Sequence, residues 1–298
     1  MRNLNQFSAI DWLMLVPLQQ ALKQIRNDAL LAHYKNNRPK DLEDFLAKNN
    51  NLTGKNIAIV IAFEQPWALH WLLKMAKKNL SDVTILVFDN SRTEAARVDI
   101  QRVCNQHGAP YLGLPPYRTK HVNRSHGMAM SWVFDNVVHA IKPNIFGYLD
   151  HDLIPVDKTD FSERVGSQPL FGLINAGKFN TWSTWAGYCM FKYDAVKNES
   201  MNFLYDFSRD LDTGGRNWNS VYSKLDRTQL RFASREHVKV KVPAIDESRL
   251  VEFIDQRWVH IGGISYNDNL KAKFEFFNGL EQALDAGADW HQLTKKNE

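Results

Sequence analysis

Asp150 and Asp152 stand one residue apart inside an otherwise apolar run, Phe146-Gly-Tyr-Leu-Asp-His-Asp-Leu-Ile-Pro-Val156. A short apolar run bounded by turn signals reads as a buried strand. Both carboxylates then sit where that strand leaves its sheet, and a turn there aims them at one small volume. Two carboxylates brought together repel unless a cation joins them. Oxygen ligands suit a hard ion, Mg²⁺ or Mn²⁺. Asp is also common at strand exits for its turn chemistry alone, so a merely solvated pair is the alternative. His151 reads as a strand residue pointing away from the pair and is assigned no chemistry.

Other stretches offer further groups. Trp182, Trp185 and Tyr188 have flat faces that suit sugar rings, although beside Gly187 they also read as core. In Trp258-Val-His260-Ile-Gly262-Gly263 an imidazole precedes two glycines, and a glycine loop lets backbone approach a phosphate. The alternative for His260 is a core histidine beside Trp258. Asp212-Thr-Gly-Gly215 reads as a turn before a helix running to about Leu225, where Asp is a favoured N-cap. Arg118, Lys120 and Arg124 fall in one loop, where they could meet an anion or simply be solvated.

The elements that must position these groups follow a βα order. Ile57–Phe63 is a continuous apolar strand, the kind buried on both faces of a parallel sheet. Pro66 opens a helix through Leu69, Leu72, Leu73 and Ala76. Val83–Asp89 is a second strand, and Thr93 to about Gln106 a polar amphipathic helix stopped at His107-Gly108. Pro110–Leu114 is a short third strand. Pro115-Pro116 opens a loop to His126, Gly127–Ile141 is a helix, and the Asp150 strand follows. In such Rossmann-like sheets ligands bind at the carboxyl ends of the strands. Phe63-Glu64, Asp89-Asn90-Ser91 and Asp150-His151-Asp152 all land on that edge. The second half is more irregular, with strands expected at Leu170–Ile174 and Tyr188–Tyr193 and an aromatic loop between them.

Residues 1–53 read as a separate helical extension, and residues 54–298 as the main domain. That domain divides into a nucleotide-binding half of about 54–157 and an acceptor half of about 158–298. Leu15, Leu18, Leu22, Ile25 and Ala29 are spaced three and four apart, a helical stripe. The expectation is a cap packed on the main domain. The alternative is a surface helix for a membrane or partner, hence a peripheral membrane contact.

Composition sets outer bounds. A net charge of +4 suits phosphate-bearing ligands or an anionic membrane, without the dense basic stripe of a nucleic-acid binder. Only Cys104 and Cys189 occur, which implies no disulfide framework and a reducing compartment. No run reaches the ~18 apolar residues of a membrane span, and the N-terminus lacks the features of a signal peptide. A cytoplasmic protein, at most peripheral to the membrane, is expected.

Taken in order, these motifs resemble the nucleotide-sugar glycosyltransferases of the GT-A fold, close to the large family-2-like group, over residues 56 to about 266. The resemblance implies an α/β fold with a mixed central sheet flanked by helices and an inverting, metal-dependent transfer. The donor would be a nucleotide sugar, most plausibly a uridine diphosphate sugar, and the acceptor a glycan or glycolipid, as in polysaccharide biosynthesis. Asp150-His151-Asp152 is similar to the family's D-x-D motif, with Asp152 a direct metal ligand and Asp150 holding the ion, its water or the ribose. Phe63 and Glu64 match the first strand's end. Asp89 matches the acidic turn that contacts the nucleotide base. Ser125 and His126 match the loop and helix lining the donor sugar. His260 resembles the C-terminal histidine that completes the metal and diphosphate site, with Gly262 beside it. Asp212 matches the catalytic carboxylate only in part, because Leu211 precedes it where the family more often has Glu. Asp194, Asp206 and Asp210 are nearby competitors. A sugar-phosphate nucleotidyltransferase is disfavoured because Ala62-Phe-Glu-Gln-Pro66 lacks the glycine-rich loop after the first strand. A glycan-binding or scaffold protein on a degenerate transferase fold is the non-enzymatic rival.

Overall fold

The computed structural model describes residues 7–117, 119, 121–243, 245, 248–264 and 269–295. Arg118 and Lys120, expected in an anion-facing loop, lie outside the described residues. So does Ser265.

The chain begins with α1 (Ala9–Leu13), capped by Ser8 and Asp11 in a reciprocal box. α2 (Val16–Lys35) follows, with proline in its first turn, and then α3 (Leu42–Lys48). The apolar stripe of α2 does not make the packing contact that its periodicity predicts. Leu15, Leu18, Leu22 and Ile25 are exposed, while Pro17, Asn27, Leu31 and Tyr34 are buried. The extension is held instead by Leu31, Tyr34, Leu42, Phe45 and Leu52, which join one core with Ile57, Ile59 and Ile61.

β1 (Asn56–Ala62) is buried at every position. Its residues alternate between faces: Ile57, Ile59 and Ile61 enter that first core, and Ala58, Val60 and Ala62 a second one. Two covered faces explain why the strand is apolar without interruption. α4 (Pro66–Asn79), β2 (Val83–Asp89) and α5 (Glu94–His107) come next. α5 is capped by the Thr93 hydroxyl and ends at Gly108 with a φ of 69°. β3 (Tyr111–Gly113) precedes α6 (Val122–Val133), which continues through a π turn at Phe134–Val138 into α7 (His139–Ile141). This helix starts earlier than expected, so Arg124, Ser125 and His126 lie on its first turns and not in a loop. Gly127 is required there, since a Cβ would lie 2.4 Å from the Phe203 carbonyl.

β4 (Ile145–Asp150), β5 (Leu153–Pro155), α8 (Phe161–Val165), β6 (Leu170–Ala176), β7 (Trp182–Lys192) and α9 (Tyr193–Val196) complete the middle of the chain. The expected aromatic loop is thus the first half of β7. The helix expected after Asp212 is absent: only 3₁₀ turns form, at Gly215–Asn217 and Tyr222–Lys224. β8 (Arg235–Val240), β9 (Arg249–Ile254), β10 (Trp258–His260), α10 (Leu270–Asp285), α11 (Trp290–Leu293) and β11 (Thr294–Lys295) close the chain.

Among the described residues the strands form two sheets. The six-stranded one has the order β3-β2-β1-β4-β7-β6. β3, β2, β1 and β4 run parallel, and β7 runs antiparallel to both its neighbours, β4 and β6, so the sheet is mixed, as expected. The second sheet, β11-β8-β9-β10-β5, was not foreseen. β4 ends in the first sheet and β5 begins in the second, so the chain passes between sheets through Asp150-His151-Asp152. Among the described residues no helix is long and apolar enough to cross a membrane.

Candidate functional site

The passage between sheets sets the chemistry. β5 pairs antiparallel with β10 so that Leu153 lies opposite His260. The Ile261 amide donates to the Asp152 carbonyl at 3.1 Å, and the Gly262 amide to Asp152 Oδ2 at 3.0 Å. Gly262 adopts a φ of 68°, which glycine alone takes without strain. Asp150, Asp152 and His260 each offer a ligand atom, all within 4.8 Å of one another.

His260 is fixed from behind. Its Nδ1–H donates to the Glu252 carboxylate, which leaves the Nε2 lone pair facing Asp152 Oδ1 at 3.7 Å. A carboxylate on the far nitrogen is the usual way a ligating imidazole is oriented. Glu252 sits opposite His260 on β9 and also pairs with Arg235 at 2.9 Å. It escaped notice in the sequence, where its signal was a lone carboxylate inside the apolar run Leu250–Ile254.

The electrostatics fit a cation. Burial, and then the neighbouring Asp152 carboxylate, push Asp150 up to about 6. Burial opposes charge on His260, but Asp152, Glu252 and Asp150 outweigh it and raise the imidazole. The hydrogen bond from His260 lowers Glu252. His151 Nε2 is buried with no hydrogen bond, and the residue is among those lining the cavity. Two carboxylates and an oriented imidazole nitrogen fit a divalent ion of the Mn²⁺ or Mg²⁺ type.

A cavity of ≈ 220 Å³ opens beside this triad. Phe63, Asn90, Ser125, His126, Trp185, Gly187 and Asp212 line it together with the triad. Asn90 Nδ2 donates to Ser125 Oγ at 2.9 Å. His126 Nε2 lies 3.6 Å from Asp150 Oδ1, and burial holds its imidazole down to about 4 despite Asp212 and Asp152. It is therefore a neutral hydrogen-bonding group at ordinary pH. Gly187 is required by Asp150: a Cβ there would lie 2.3 Å from Asp150 Oδ2. Asp212 is exposed on the rim and accepts from Asn123 Nδ2 at 3.1 Å. It caps no helix. Of its competitors, Asp194 and Asp210 pair with Lys197 and Lys178, and Asp206 is buried with Arg209.

Some expected ligand-binding residues are employed elsewhere. Asp89 is fully buried and accepts from Tyr111 Oη and the Ser91 amide; its neighbour Asn90 faces the cavity instead. Glu64 accepts from the Arg92 and Thr93 amides and the Thr93 hydroxyl, which ties β1 to the start of α5. Trp182 is buried against Tyr222 and Phe232, and Tyr188 against Trp258, so neither forms a sugar platform. Trp185 does line the cavity, edge-on to His260 at 4.9 Å. Gly262 contacts the site through its amide on Asp152, and Gly263 reaches the cavity wall.

No family model matches the chain, and no curated protein matches it. Several solved glycosyltransferases share part of its architecture. A mannosyltransferase from Pyrobaculum calidifontis, solved with GDP-mannose and Mn²⁺, is similar at 8% identity and a TM-score of 0.36 over 60% of this chain and 56% of that one. TarS of S. aureus is similar at 10% identity and 0.34, over 50% of this chain and 30% of its own. A glucosyl-3-phosphoglycerate synthase from Mycobacterium tuberculosis, solved with Mn²⁺ and UDP, is similar at 14% and 0.34, over 55% and 65%. The chain thus spans less than two thirds of the length of each.

Proposed function

We propose that the protein transfers a sugar from a nucleotide donor, a uridine diphosphate sugar, to a hydroxyl of a glycan or lipid-linked acceptor, with inversion at the sugar carbon. The observation that supports this most is the Asp150–Asp152–His260 triad, with His260 anchored by Glu252, facing the same cavity as Asp212. A divalent ion held there would offset negative charge developing on the departing diphosphate. Asp150 and Asp152 would hold it by carboxylate oxygens and His260 by Nε2, a nitrogen that Mn²⁺ tolerates better than Mg²⁺.

The remaining work belongs to the chain itself. Phe63, Asn90 and Ser125 line the part of the cavity suited to a nucleoside. The neutral His126 hydrogen-bonds donor oxygens without adding charge. Trp185 offers a flat wall for a sugar ring. Asp212, oriented by Asn123, takes the proton of the acceptor hydroxyl as it attacks. A single carboxylate acting as base suits in-line displacement.

Calorimetry of UDP binding with and without Mn²⁺ tests this reading. The expected outcome is UDP affinity that depends on Mn²⁺ and is lost in Asp152→Ala, with the melting temperature retained. Equal binding with and without Mn²⁺ removes the metal reading, and no UDP binding under either condition would favour the non-enzymatic glycan-binding reading.

A further inference from the structure

The exposed stripe on α1 and α2 is the largest feature that the proposed reaction leaves unused. Leu13 is 83% exposed, Leu18 55%, Leu22 58% and Ile25 63%. Ile10, Trp12, Met14 and Leu15 are exposed as well. From Leu15 to Ala29 the stripe runs roughly 20 Å along the helix, at 1.5 Å per residue. Single exposed apolar residues are ordinary, but a continuous surface of this kind marks a contact with something apolar.

Charge decides what covers it. Between Ala9 and Asn27 the ionic side chains are Asp11, Lys23 and Arg26. Asp11 is half-buried and accepts from the Ser8 amide and hydroxyl in its capping box. The next carboxylate, Asp28, is bridged by Arg216 at 2.9 Å. The face therefore combines aliphatic and Trp side chains with two exposed cations, while both nearby carboxylates are engaged, Asp11 by Ser8 and Asp28 by Arg216, the pattern of a helix lying in an anionic bilayer surface. A second copy of the chain suits it less well, because two-fold pairing sets like cations against each other.

Position adds a second argument. Lys23 and Arg26 also line a groove of ≈ 930 Å³ together with Tyr205, Phe207, Asn123, Asp210 and Asp212. Lys23 Nζ lies 5.9 Å from the Phe207 ring centroid. The same cations thus border both the apolar stripe and the groove that reaches Asp212.

We infer that α1 and α2 form a docking face for an anionic membrane surface, which sets the groove leading to Asp212 against the lipid headgroups. The inference stands whether or not the protein transfers sugars, because it is read from binding alone.

The test is flotation of the full chain with vesicles of phosphatidylcholine containing 30 mol% phosphatidylglycerol, and with phosphatidylcholine alone. The protein is expected to float with the anionic vesicles and much less with the neutral ones. Leu18→Gln/Leu22→Gln/Ile25→Gln should weaken binding at least tenfold with little change in melting temperature, because those side chains are more than half exposed and belong to neither core. Lys23→Gln/Arg26→Gln should weaken it about fivefold per cation, with the loss erased by high salt. Failure to float, equal flotation with both vesicles, or undiminished binding by the triple variant would overturn the inference. So would a dimer in sedimentation that the triple variant dissolves without any vesicle binding, which would make a second copy the occupant.

Discussion

Asp212 keeps Oδ1 on Asn123 and stands at the rim of the cavity, exposed and capping no helix. A base needs that combination of orientation and access. Asp212→Asn keeps the size and removes the proton acceptor. Transfer is expected to fall by about 10²-fold or more, while UDP binding and melting temperature hold. Retained transfer would sink the base assignment. Glu252 acts through His260 and touches no substrate. Glu252→Gln should weaken Mn²⁺ affinity by about 10- to 100-fold, measured by calorimetry on the folded protein. Unchanged affinity would mean that Glu252 serves only its pair with Arg235.

Asp212 owes its position to a tight loop. The Asp206 amide donates to the Leu211 carbonyl at 2.9 Å, and the Leu211 amide returns to the Asp206 carbonyl at 3.1 Å. Inside the loop Asp206 accepts from the Ser208 hydroxyl and from Arg209 Nη1, each at 2.6 Å. Burial alone would raise the Asp206 carboxyl, but the Ser208 and Arg209 bonds overcome it and hold the group below its usual range. A carboxyl lowered on folding stabilises the native state above its unfolded pKa, about 4. That stabilisation is lost as pH falls through the folded value. Asp206→Asn should therefore cost about 3 kcal/mol at neutral pH, since it removes the carboxylate that balances the buried Arg209 guanidinium. It should also flatten the acid side of the stability curve below pH about 4. Urea unfolding from pH 3 to 7 measures both, and a parallel shift at every pH would contradict the assignment.

At the scale of the molecule, the site exists because β4 and β5 belong to different sheets. The turn between them is pinned by β10, which brings His260 beside Asp152 although the two are far apart in sequence. β7, running back beside β4, supplies Gly187 and Trp185 to the opposite wall. The N-terminal helices join the same core as β1 and present their other face outward. This arrangement gives the molecule a junction between sheets where Asp150, Asp152 and His260 could hold an ion, and an exposed apolar surface on its N-terminal helices.

The parallel half of the first sheet was legible in the sequence because β1 is buried on both faces and so is an unbroken apolar run, and β2 and β4 are mostly apolar. The D-x-D pair was legible because two carboxylates cannot hide inside such a run. His260 was legible as a candidate through the glycines that follow it. Glu252 and Gly187 were not, since their roles come from strand pairing across long separations, which no local pattern encodes. The same holds for Trp182 and Trp185: identical residue types three apart, one buried in the core and one on the cavity wall. The α2 stripe makes the point in reverse. Its 3.6-residue period fixed a helix with one apolar face, but periodicity carries no information about which face meets the core. Only the packing of Asn27, Leu31 and Tyr34 against the rest of the chain turned that face toward the outside.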